Sequence, residues 1–366
     1  MSILKVDTLQ HRDGTEYILS ERNKLINGDF SVAQRGVSLT STNSANNDAS
    51  YTLDRWQLFS DGNDVVDVSK ETSTVPTNQL YAIALDVETA NKKFGIAQKI
   101  EQKNCVDLIG QEVTLSFKAK VSATTNLDNV KCAIIAWDGT ADTLTDDMIS
   151  AWGSEGTNPT LATNYTYENT PANLNLTTSY TTYTTTATID TANAKNVVVF
   201  IWSDVTTTST GEFLYITDVQ LEKSPSASTF ERKNFGRQLA DCRRYYVRLD
   251  RTGPPAEPYV QAVYVGHGQL FSATEAVIYP IMYEPMRDTP DIGVSATNDF
   301  TIELTGGHSR DTSALAIYND ASHTDETFSY NPMIQITISS SSTADKYGRF
   351  FINDATNGFL ELDAEL

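Results

Sequence analysis

The sequence predicts an all-β chain: an N-terminal extended arm, a jelly-roll β-sandwich, one short connecting helix, and a second, distal β-domain. Three observations carry this. Short segments with period-two alternation or β-branched runs recur through most of the 366 residues. Clusters of Gly, Asn, Asp and Ser separate them, with no helices interleaved. Only one stretch has a convincing helical period, and no repeat of solenoid length is visible.

The arm comes first, over residues 1–22. Ile3, Leu4 and Val6 precede a His-Arg-Asp-Gly turn and then Tyr17-Ile18-Leu19, and Asp-Gly is a hairpin-type signal. An arm this short cannot bury its own apolar side, so it should pair with another surface. From 24 to 232, strands are expected at 51–59, 65–68, 81–87, 94–100, 112–121, 131–137, 180–189, 196–202 and 212–221. That spacing reads as a sandwich or jelly roll. Residues 157–192 are rich in Thr and Asn, with Tyr165, Tyr167, Tyr180 and Tyr183 among them. They read as a long loop and an exposed strand, or as a polar, aromatic-bearing surface suited to sugars.

The connecting helix falls within 233–250. In FGRQLADCRRYYVR, residues 235–248, Phe235, Leu239, Cys242 and Tyr246 form one stripe, with Arg237, Asp241, Arg244 and Arg248 opposite. A helix this short is marginal alone and needs packing, within the chain or between chains. Residues 251–366 return to β, with strands at 258–266, 275–283, 300–305, 313–318, 333–339 and 347–353. Pro280, Pro285, Pro290 and Pro332 suit edge strands and bends rather than a central sheet.

Charge and motif content exclude several functions. A formal net charge of −20 repels phosphate backbones, so nucleic acid is not an expected partner. No apolar run approaches the roughly 18 residues of a membrane span, and the start has no signal-peptide-length apolar segment. Cys105, Cys132 and Cys242 form no CxxC pair, which suits a chain made in a reducing cytosol. His11, His267, His308 and His323 are scattered, and neither HExxH, G-x-S-x-G nor a P-loop occurs. Catalysis is therefore not expected. Sugar binding would use aromatic faces. Trp152 sits among Gly153, Ser154 and Gly156, and Trp137 precedes an Asp-Gly turn, so these two join Tyr165 and Tyr167 as candidates. Trp56 and Trp202 read as core.

Three segments carry a resemblance. Residues 24–35 read KLINGDFSVAQR, 51–57 read YTLDRWQ, and 218–246 read DVQLEKSPSASTFERKNFGRQLADCRRYY. Together they resemble bacteriophage tail-fibre and related virion fibre proteins; LKVDTLQ at the start is similar to the arm that begins many such fibres. Lys233-Asn234 and Gln238 depart from the commonest residues of the closing block. The resemblance spans about residues 1–248.

It implies a carbohydrate-binding-module-like jelly roll over 24–232 and a homotrimer, to which the stripe Phe235, Leu239, Cys242 and Tyr246 would contribute. The arm would join another phage tail or capsid protein. No cofactor is required; a structural Ca2+ would lie between the first-strand motif and the last strand, on Asn27, Asp29 and Asp218. Ser31 stands where that class often has Glu. The expected function is a non-enzymatic virion protein, made in the host cytoplasm, a tail fibre that attaches to a host-surface glycan or protein without inserting in the membrane. A capsid decoration or head fibre is the alternative, and a polysaccharide depolymerase a third reading. Chain order places residues 251–366 farthest from the virion, so receptor contact is expected in their polar loops, at His308, Asn319 and His323.

Overall fold

A computed structural model describes residues 21–43, 45–250, 263–280, 285–306, 308–318, 333–344, 346–353 and 358–366. Residues 1–20 of the arm, Asn319 and His323 lie outside the described residues, as does the side chain of His308. The chain divides into two compact units, one up to Asn234, with Leu366, and one from Phe235 to Glu365.

The first unit is a β-sandwich. Its six-stranded sheet runs Ser38–Leu39, Val66–Glu71, Ala82–Val87, Phe213–Glu222, Glu112–Val121, Thr181–Thr188. Its five-stranded sheet runs Tyr165–Tyr167, Val130–Trp137, Asn196–Ser203, Phe94–Ile100, Gln57–Ser60. Glu112–Val121 shows why the six-stranded sheet forms. Val113, Leu115, Phe117, Ala119 and Val121 enter the core, while Thr114, Ser116, Lys118 and Lys120 alternate with them, the period-two pattern of a half-buried strand. The three inner strands of the other sheet, VKCAIIAW, NVVVFIWS and FGIAQKI, are buried at every position. A continuous apolar run of that kind needs cover on both faces.

The sequence motifs close the sandwich. A β-bulge between Thr217 and Gln220 interrupts the last strand's ladder, and Asp218 there takes φ 54°. The freed Val219 N–H donates to Gly28 O at 2.9 Å. Gly28 is required at this approach, since a Cβ would stand 2.1 Å from Val219 O. Trp56, fully buried, donates its indole N–H to Asn27 O at 2.9 Å and packs on Phe30 with centroids 5.2 Å apart. Glu231 accepts the backbone N–H groups of Glu21 and Asn23 at 2.6 and 2.8 Å, tying the ends of the unit together.

On the outer face of the six-stranded sheet Asp86 stands directly across from Asp67. Burial, then the charges of Glu88 and Asp67, push Asp86 up to about 6. The folded state thus favours its protonated form. That stabilisation is complete below the ordinary value of 3.8 and is lost as pH rises through 6. Asp86→Asn should therefore raise the melting temperature at pH 8 and leave it close to wild type at pH 4, by calorimetry. An equal gain at both values would remove the charge explanation.

The second unit holds a closed six-stranded antiparallel barrel: Val263–Leu270, Glu275–Pro280, Ile334–Ile338, His308–Ile317, Phe300–Leu304 and Tyr347–Ile352, which returns to Val263–Leu270. Alternating residues fill it, among them Ile302, Ile336, Ile352, and Phe300 stacked on Phe350 at 5.6 Å. A separate sheet runs Tyr246–Asp250, Phe359–Asp363, Asp291–Val294. Two sequence expectations change here. Pro280 ends a strand of a closed barrel rather than marking an edge. The helix spans only Phe235–Arg243, and Tyr246 lies on a strand, its hydroxyl donating to Glu361 at 2.6 Å. Of the predicted stripe, Cys242 is buried, Leu239 is half-buried and Phe235 is exposed.

Candidate functional site

Of the four aromatics expected to bind sugar, Trp137, Tyr165 and Tyr167 stand on strands of the five-stranded sheet and Trp152 on the segment that covers it. The chain between Trp137 and Thr181 folds back over the sheet's outer face. Trp152 lies 6.1 Å from Phe200 and Tyr167 lies 6.4 Å from Trp202, centroid to centroid. Trp137 and Tyr165 are 3% and 7% exposed and pack on each other at 4.7 Å. Their polar atoms are used inside the unit: Trp137 Nε1 donates to Thr140 O and Tyr165 OH to Thr145 O. Neither ring offers a face to a ligand. Trp152 and Tyr167 are half-buried.

A buried charge cluster pins this layer. Asp204 is fully buried and pairs with Lys93 and, at 2.7 Å, with Lys131. Lys93 Nζ also donates to Ser154 O at 2.8 Å and Thr157 O at 3.2 Å, and Lys131 Nζ to Asn158 Oδ1 at 3.0 Å. Gly156 N–H donates to the second carboxylate oxygen of Asp204. Lys93, Lys131 and Asp204 thus hold the 152–158 segment down by charge-assisted hydrogen bonds.

The residues expected to hold calcium fit that ion poorly. Asn27 uses its whole amide: Oδ1 accepts from Val32 N, and Nδ2 donates to Val32 O and Asp54 O. Asp218 Oδ2 pairs with Lys118 at 2.9 Å and accepts from Gln79 at 2.6 Å, leaving Oδ1 buried without a hydrogen bond. Beside Asp29, the Lys70 ammonium donates to Ser31 O. Protein cations already occupy the space, whereas calcium needs six to eight oxygens. Among the described residues no three His, Cys, Asp or Glu side chains gather as metal ligands. Cys105 and Cys132 are buried, and burial pushes both thiols up to about 12, so they are poor nucleophiles.

The open chemistry lies on the outer wall of the barrel. In the strand register Glu303 is opposite Arg349, Arg349 opposite His267, and His267 opposite Tyr279. Successive side chains on a strand point to opposite faces, so these four form one outward row across four strands. Glu303 and Arg349 pair at 2.7 Å with side chains 41% and 63% exposed. Tyr347 and Tyr279 are 62% and 54% exposed. Below the row, Tyr264 and Phe351 pack at 5.5 Å, and Tyr264 OH lies 3.3 Å from His267 Nδ1. A pocket of about 450 Å³ opens here, lined by His267, Glu303, Thr305, Gly306, Tyr347 and Arg349. Exposed rings around a donor and an acceptor suit a ligand with an apolar face and polar edges.

No family model and no curated protein matches the chain. Among solved structures it is similar to the enzymatically active domain of tailspike protein 4 of bacteriophage CBA120, at 15% identity and TM-score 0.33, over 57% of this chain and 22% of that one. It is also similar to TmCBM61 in complex with β-1,4-galactotriose, at 14% identity and TM-score 0.30, over 56% of this chain and 99% of that one. A third is a xylan-binding domain from Paenibacillus barcinonensis, at 12% and 0.30, over 47% and 87%. The chain thus spans about a fifth of the length of the tailspike structure.

Sequence reading placed His267 among scattered histidines and did not single out Tyr279, Glu303, Tyr347 or Arg349. Each stands at an outward position of an alternating strand, in VYVGHGQL, EAVIYP, FTIEL and YGRFFI. The alternation marks them as outward; only the barrel order makes them neighbours.

Proposed function

We propose that the chain is a non-enzymatic virion attachment protein, a tail fibre, that binds a cell-surface glycan through the outer wall of its second unit's barrel. The observation that carries this reading is the row Glu303–Arg349–His267–Tyr279 beside exposed Tyr347, set against a first unit whose five-stranded sheet is covered by its own aromatics. The motifs that resemble virion fibres support the virion setting. Binding is favoured over hydrolysis because glycosidic cleavage ordinarily uses two flanking carboxylates. Among the described residues lining the pocket, Glu303 is the one carboxylate.

Screening the full chain on a broad glycan array tests the reading. Wild type should bind a restricted set of glycans, and Tyr347→Ala should lose them while keeping its melting temperature. An aromatic anchor of this kind typically contributes about 2 kcal/mol, roughly thirtyfold in affinity. Retention of all binding by Tyr347→Ala would refute the site. The proposed assembly is a homotrimer, for which light scattering should give three times 40.3 kDa; a stable monomer would remove the fibre.

A further inference from the structure

We infer that the barrel wall takes a neutral pyranose by a pair of adjacent hydroxyls held between Glu303 and Arg349, with the sugar's C–H face on Tyr347. This inference rests on the carbohydrate-binding reading above and names its ligand class. Arg349 donates to Glu303 through one nitrogen, Nη2, at 2.7 Å. A guanidinium carries five N–H donors and a carboxylate about four acceptor sites, so both groups keep capacity toward solvent. Side by side they present an acceptor next to a donor. Adjacent hydroxyls match that pattern, one donating to the carboxylate while the other accepts from the guanidinium. Tyr347 lies two residues from Arg349 on the same strand and therefore on the same face, with most of its ring exposed.

Charge decides between neutral and acidic sugars. Between residues 263 and 366 the sequence has four Lys or Arg against fifteen Asp or Glu. Arg349 is already neutralised by Glu303. A uronate or sulfated sugar would have to displace that carboxylate within a negative field. A neutral diol uses both groups as they stand.

Saturation-transfer NMR and titration calorimetry on the full chain test this. The probes are methyl α-D-mannopyranoside, methyl β-D-galactopyranoside, their deoxy analogues lacking one hydroxyl of the pair, and methyl β-D-glucuronide. At least one neutral glycoside should bind, with affinity insensitive to added salt, and its deoxy analogue should bind at least tenfold more weakly. Glu303→Gln and Arg349→Met should each lose tenfold or more without a change in melting temperature, since both side chains are exposed. Preference for the glucuronide, weakened by salt and still dependent on Tyr347, would overturn the neutral-diol assignment and leave the glycan-binding reading standing. Absence of binding by every probe and by the glycan array would overturn both.

Discussion

Asp204→Ala should cost the first unit about 3–5 kcal/mol, because it strands two ammonium groups where water cannot reach them. Lys93 and Lys131 have side chains only 1% and 7% exposed, and Asp204 is the carboxylate they share. The loss should appear in urea denaturation as a lower midpoint. Tryptophan quenching by acrylamide should rise as the 152–158 segment lifts from Phe200. The mechanism is separable from simple loss of packing. Replacing the trio together, Lys93→Met, Lys131→Met and Asp204→Leu, removes the buried charges as well as their attraction, and should restore most of the stability. A triple variant as unstable as Asp204→Ala would show that hydrogen bonds to the segment, rather than unpaired charge, dominate.

Trp56→Ala should cost a similar amount, about 3–5 kcal/mol, the range for removing a buried aromatic from a packed core. Trp56 joins the opening motif to its neighbouring strand through Asn27 O and the ring of Phe30. Trp56→Phe keeps most of the apolar volume and loses only the indole hydrogen bond, since Asn27 O still accepts from Phe30 N–H at 3.1 Å, so it should cost less, with about 1 kcal/mol from the lost hydrogen bond. Thermal melts of the three proteins check the order. Trp56→Ala near wild-type stability would contradict the placement of this residue in the core.

Trp56 marks what the sequence makes legible. It reads as core because it sits between polar neighbours in the expected strand 51–59; the structure buries it just ahead of the strand Gln57–Ser60. The strands Phe94–Ile100 and Glu112–Val121 fall where alternation places them. Tyr246 was misread because YYVRL satisfies the helical stripe as well as strand propensity, and its pairing with Asp363 on a distant strand decides the outcome. Trp137 and Tyr165 were misread for a different reason. A Gly- and Thr-rich loop looks exposed locally, and nothing within it shows that it returns over its own sheet. The signal was in the strands: VKCAIIAW and NVVVFIWS are apolar on both faces, so some segment had to cover the outer one. The barrel wall was illegible because its four strands come from separate parts of the chain, and only closure brings Glu303, Arg349, His267 and Tyr279 into register.

Ligand recognition is proposed to belong to the barrel wall and not to the aromatics of the sandwich. Glycan-array binding by three purified proteins tests it directly: wild type, Tyr347→Ala combined with Arg349→Ala, and Trp152→Ala. The wall variant should lose the wild-type glycans while Trp152→Ala retains them, with all three at wild-type oligomeric mass. Retention by the wall variant together with loss in a folded Trp152→Ala would contradict it, and would return the binding site to the first unit.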